Sequence, residues 1–93
     1  MLNKRAKNGK VKKRNRNKAK DGKRNIVGRR IRQLRRKAKP KITQEDLAGR
    51  VAAQEISLDR TAIFRIEAGT RTVTDMELVA LARALRVKIG DLF

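Results

Sequence analysis

Residues 43–69 read TQEDLAGRVAAQEISLDRTAIFRIEAG, and they decide the fold. Thr43 suits a helix N-cap, and the acids Glu45 and Asp46 suit the positive end of the helix dipole that follows. Leu47, Ala48 and Val51 then recur at helical spacing as a buried stripe. The stretch from Ala53 to Leu58 loses this regularity and reads as a turn. Asp59 can cap a further helix, with Leu58 and Ile63 placed as a hydrophobic staple at N′ and N4. Ile63, Ile66 and Glu67 lie on the inner side of that helix, and Gly69 supplies a left-handed stop after Ala68.

The flanking sequence adds helices on both sides. Upstream, Val27, Ile31, Leu34 and Ala38 fall at spacings of four, three and four, which is one helical face, and Pro40 ends that helix. Downstream, Thr74 and Glu77 form a capping box for a helix with Leu78, Val79, Leu81, Ala82 and Leu85 facing inward. A final half-turn from Ile89 to Phe93 can bring Leu92 and Phe93 to the core. No segment alternates as a strand does, so the expected fold class is all-α, a bundle of four to five short helices.

The 93 residues carry 27 Lys and Arg against nine Asp and Glu, a net charge of +18. Residues 1–25 contribute +11 of this, with little apolar content and no helical or strand period. Such a segment cannot recover the entropy of ordering, so it reads as a disordered basic N-terminal tail. Residues 26–93 form the expected folded domain. The sequence has no His or Cys and a single Ser, Ser57, which removes Cys and His nucleophiles, His-based metal sites, disulfides and the usual catalytic triads. No enzyme activity, metal or cofactor is therefore expected. No apolar run approaches the ~20 residues of a membrane helix, and none follows the basic start as in a signal peptide. A cytoplasmic, nucleoid-associated protein is expected, and the excess of positive charge points to a polyanionic partner, nucleic acid first.

Two short helices joined by a turn in a basic bundle form a helix-turn-helix. The second of them presents Arg60, Thr61 and Arg65 roughly opposite Ile63 and Ile66. Alone, each arginine would be an ordinary solvated charge. On the outer face of this helix they become candidates for base or phosphate contact. Thr43 to Ala48 and Arg65 to Gly69 are the most specific parts of a wider pattern over residues 26–93, which resembles the XRE family of phage-repressor and Cro-like DNA-binding domains. The resemblance implies a lambda-repressor-like bundle that binds double-stranded operator DNA, commonly as a homodimer. It further implies that Gln44 bonds a phosphate, that Arg60, Thr61 and Arg65 occupy base-reading positions, and that Arg71 touches phosphate. Arg35 and Glu67 match a family pair that forms a buried salt bridge between helices, so the resemblance makes them structural.

The chain departs from the common pattern in several places. The span from Gln44 to Ile63 is about five residues longer than the tight motif, as in a long-turn variant of the family, and the connection from Lys37 to Ile42 is about two residues longer than usual. Phe64 stands where the family often has a small residue. Its expected place is partly packed at the helix edge, with a thymine methyl contact as the lesser alternative. Arg86 and Lys88 replace a frequent Gly and a capping Ser, which predicts a weakly held last half-turn. Functionally, the first reading is a sequence-specific, repressor-like transcriptional regulator with its basic tail on the phosphate backbone. The alternatives are an antitoxin that binds a partner toxin, and a general nucleic-acid-binding protein dominated by its tail.

Overall fold

A computed structural model of the protein describes residues 22–93. The tail reading over residues 1–21 lies outside the described residues. Four α-helices follow one another in the described part: α1 (Gly28–Lys37), α2 (Gln44–Ala52), α3 (Arg60–Ala68) and α4 (Asp75–Leu85), then a 3₁₀ turn (Ile89–Leu92). No strand occurs among the described residues. The fold is all-α.

Local chemistry sets the helix ends. The Thr43 hydroxyl accepts from the Asp46 N–H at 3.0 Å, and the Asp46 carboxylate accepts from the Thr43 N–H at 3.1 Å. Thr74 and Glu77 make the same reciprocal pair at α4. Asp59 accepts from the Ala62 N–H at 2.8 Å to start α3. Each device satisfies N–H groups that a helix start otherwise leaves without partners. Gly69 closes α3 at φ 79°, a left-handed conformation that glycine reaches without a Cβ penalty. Arg86 takes the same conformation after α4, at φ 59°. In the long connection between α2 and α3, Glu55 sits at φ 64° and the Ile56 N–H reaches back to the Val51 carbonyl. The chain thereby reverses, and Leu58 is delivered into the core.

The core is built from Ile31 of α1, Leu47 and Val51 of α2, Ile63 and Ile66 of α3, Leu81 of α4 and Leu92 of the final turn, all fully buried. Each such side chain contributes roughly 1.5–3 kcal/mol of hydrophobic stabilisation. α3 packs against both α1 and α2, and α2 also packs on α4. Two polar side chains tie α2 and its turn to the α4 backbone. Arg50 donates to the Ala84 carbonyl at 3.0 Å and Gln54 to the Ala80 carbonyl at 2.9 Å.

Two expectations about the core change. Val79 and Phe93 do not face the core; they are 39% and 65% exposed. The inward arc of α4 is filled by Ala80, Leu81, Ala82, Ala84 and Leu85. Phe93 follows the turn that already seats Leu92. That last half-turn is formed, with the Lys88 N–H on the Asp91 carboxylate at 3.1 Å and the Arg30 guanidinium on the Asp91 carbonyl at 2.9 Å. Hydrogen bonds to the bundle also reach upstream of Ile26. The Arg24 N–H donates to the Gly69 carbonyl at 2.8 Å, and the Asn25 side chain ties the start of α1 to the far end of α3. Its amide donates to the carbonyls of Ile66 and Arg71 at 3.0 and 2.8 Å, and its oxygen accepts from the Gly28 N–H at 2.8 Å. Charge composition could not reveal this, because the anchoring is done by individual hydrogen bonds of Lys23, Arg24 and Asn25.

Candidate nucleic-acid interface

The surface of interest is built from the outer side of α3, the N-terminus of α2 and one side of α1. At ~100° per residue, Thr61 and Ala68 lie opposite the mean direction of Ile63 and Ile66, with Phe64 and Arg65 each about 50° to either side. Arg60 stands a further step round, about 90° from the outward direction and on the Phe64 side. Arg60, Thr61, Phe64 and Arg65 are all exposed. Among the described residues neither Arg60 nor Arg65 makes an ion pair, so both guanidinium groups remain available.

Arg60 and Phe64 border a cleft of about 750 Å³, whose other walls include Arg32 and Arg36 of α1 and Thr43 and Gln44 at the start of α2. Arg32 and Arg36 are exposed and, among the described residues, also without an ion pair. The sequence reading did not single them out. Their spacing of four residues, away from the Ile31 and Leu34 stripe, was visible, but every outward arginine of this basic helix looked alike until packing set α1 beside α3.

The charged residues behind this surface are paired. The Arg35 guanidinium meets the Glu67 carboxylate through two hydrogen bonds of 2.7 and 2.8 Å, and also donates to the Ile42 carbonyl at 3.0 Å. The side chains are 12% and 4% exposed, so the pair is largely desolvated. Hydrogen bonding to Glu67 raises the Arg35 pKa, against the opposing effect of burial. The bridge locks α1 to α3 and thereby fixes the angle at which α3 presents its outer side.

Two candidate phosphate ligands sit differently from the sequence expectation. The Gln44 side-chain amide donates to Glu67 at 3.1 Å, so it turns inward to the bridge. Its position opens α2, however, and the backbone N–H groups of Gln44 and Glu45 have no acceptor among the described residues. Arg71 makes a two-pronged pair with Glu77, both bonds at 3.0 Å, and donates to the Thr72 carbonyl. Glu77 is held below the usual carboxylate range, first by the Arg71 hydrogen bond, with burial opposing and the Thr74 N–H assisting. Arg71 thus belongs to the cap of α4. Phe64 also departs from expectation: it is 59% exposed and is not packed at the helix edge.

The geometry can hold an extended polyanion. It offers the exposed outer side of α3 with cations that have no ion pair among the described residues, the open N-terminus of α2 beside it, and a second pair of arginines across the cleft. Among the described residues there is no cluster of acids suited to a metal ion, and no helix is long and apolar enough to cross a membrane.

Residues 26–92 match the family described as a helix-turn-helix domain. Among solved structures, the chain is similar to the restriction-modification controller protein C.AhdI from Aeromonas hydrophila. The two are 36% identical, with a TM-score of 0.61 over 72% of this chain and 87% of that one. Among curated proteins none matches in sequence.

Proposed function

The chain belongs to the helix-turn-helix domain family, as an XRE-like DNA-binding regulator, and from that premise we propose that it is a sequence-specific, repressor-like protein that acts on duplex DNA as a homodimer. The observation that carries this reading is the outer side of α3, where Arg60, Thr61 and Arg65 stand exposed and, among the described residues, without ion pairs beside the open start of α2. In this reading α3 enters the major groove. Arg60, Thr61 and Arg65 meet base edges, because only there does hydrogen-bond pattern distinguish all four base pairs. The N–H groups of Gln44 and Glu45 receive a phosphate, aided by the helix dipole. Arg71 gives a weaker, general attraction because Glu77 already neutralises it.

Residues 1–25 add twelve cations, which strengthen binding to any sequence by releasing counterions from the backbone. The protein works by binding, without catalysis or cofactor, in the cytoplasm on the nucleoid. The similar Aeromonas hydrophila protein is named for controlling restriction-modification, and regulation of genes of that kind is the specific role we infer here.

Selection of bound duplexes from a random pool tests the reading. A consensus with two-fold symmetry and half-sites about one helical turn apart is expected. Absence of any consensus would reduce the protein to a general nucleic-acid binder.

A further inference from the structure

Phe64 is one of only two aromatic residues in the sequence, and it stands on the outer side of α3 with 59% of its surface in water. Nothing in the fold requires a ring there. Ile63 and Ile66 already fill the side of α3 that faces the core. Its helix neighbours on the surface are Arg60, one turn earlier, and Thr61 and Ala68 on the adjoining stripe. The opposite wall of the cleft is formed by Arg32 and Arg36.

An aromatic ring left in water gains binding free energy from any partner that covers it with apolar surface. The cations around it select an anionic partner. Those two demands conflict unless the partner carries apolar groups inside a polyanionic frame. The major groove of DNA does, since phosphates form its rims and the C5-methyl of thymine projects from its floor. Phe64 shares its cleft with Arg60, Arg32 and Arg36, so a duplex whose phosphates meet those cations brings its groove floor to the same surface.

Resting on the DNA-binding reading above, we propose that Phe64 is a specificity-determining residue that recognises thymine through its C5-methyl group. The ring makes no hydrogen bond, so it adds selectivity without a polar code, complementing the hydrogen bonds that Arg60 and Arg65 can make.

The experiment uses the full chain and the consensus duplex selected from a random pool. Each thymine is replaced singly by deoxyuridine, which removes the methyl and keeps the base pair. At one thymine position in each half-site, wild-type affinity should fall about four-fold, the effect of ~0.8 kcal/mol for one buried methyl group. Phe64→Ala should be insensitive to that same replacement, Phe64→Leu should keep part of the sensitivity, and Arg65→Ala should keep all of it. Because the side chain is largely exposed, both Phe64 variants should retain wild-type helix content.

Deoxyuridine effects equal in wild type and Phe64→Ala overturn the proposal, as does a Phe64→Ala protein that selects the same consensus with the same affinity. Loss of self-association in Phe64→Ala with DNA affinity unchanged would also overturn it and place the ring in a protein contact. Failure of the wild type to select any consensus is a different result, because it removes the regulator reading itself.

Discussion

Gln44 and Glu67, one at the first turn of α2 and the other near the end of α3, are joined by a 3.1 Å hydrogen bond on the same carboxylate that holds Arg35. The start of α2, the outer helix α3 and the basic helix α1 therefore share one buried charge. Any change in that charge alters the mutual placement of all three parts of the interface.

Arg35→Ala should accordingly destabilise the domain by about 3–5 kcal/mol, because Glu67 would stay buried with only the Gln44 amide to answer its charge. Replacing both partners, Arg35→Met with Glu67→Leu, should recover much of that loss, since no uncompensated charge remains. Chemical denaturation of the single and double variants measures both numbers. A loss below ~0.5 kcal/mol for Arg35→Ala would mean that the pair behaves like a surface bridge.

Glu77 predicts an acid-side dependence. Its folded-state pKa lies below the ordinary value of 4.5, so the unfolded chain takes up the proton first as the pH falls. Its contribution is fully present above 4.5 and disappears as the pH drops through the lowered folded value. Melting temperatures of wild type and Glu77→Gln should differ at neutral pH and converge below that window. Parallel curves across the whole range would show that the carboxylate's pairing with Arg71 and Thr74 adds no stability.

Asn25 separates two truncations that composition treats as nearly the same. Deleting residues 1–21 should leave the melting temperature unchanged, because the anchoring bonds of Lys23, Arg24 and Asn25 remain. Deleting residues 1–25, or making Asn25→Ala, should cost about 1–3 kcal/mol, as the Gly28 N–H and the carbonyls of Ile66 and Arg71 lose their partner. Both truncations should flatten the salt dependence of DNA binding, by about 0.9 in slope for each phosphate that the tail no longer neutralises. Equal stabilities for the two truncated proteins would place the domain boundary at Ile26.

Gly28 and Gly49 offer a matched pair. A Cβ at Gly28 would collide with the Ile66 carbonyl, so Gly28→Ala should destabilise by roughly 1–3 kcal/mol. A Cβ at Gly49, inside α2, meets nothing within 4 Å, and Gly49→Ala should stabilise by about 0.5–1 kcal/mol. Thermal melts of the two variants should move in opposite directions. A neutral Gly28→Ala would mean that α1 and α3 approach less closely than in this structure.

Arg60 and Arg65 test base reading directly. Arg65→Ala or Arg60→Ala should cost about 1–3 kcal/mol on the selected duplex and much less on random DNA at the same salt concentration. Arg60 stands nearer the α1 side of the cleft, so it is the one more prone to behave as a backbone clamp, with equal losses on both duplexes. If both arginines show equal losses, recognition falls to Thr61, Phe64 or DNA shape.

Local chemistry determined the elements. Thr43 with Asp46, Asp59, Gly69, and Thr74 with Glu77 are each read within a few residues along the chain, and each marks a real helix end. The apolar spacing of Ile31, Leu47, Val51, Ile63, Ile66 and Leu81 likewise follows from helical period alone, which is why the all-α bundle was legible. The tertiary structure decided what no spacing contains, namely which polar groups meet across the chain. Gln44 turns to Glu67, Arg71 to Glu77 and Asn25 to Ile66 and Arg71 only because packing brings residues 6 to 46 positions apart within reach. The same packing left Val79 and Phe93 in water, outside the arc that the core side chains fill, and left Phe64 beside an open cleft. A sequence period says which side of a helix is apolar, but how wide the buried arc is depends on what lies against it.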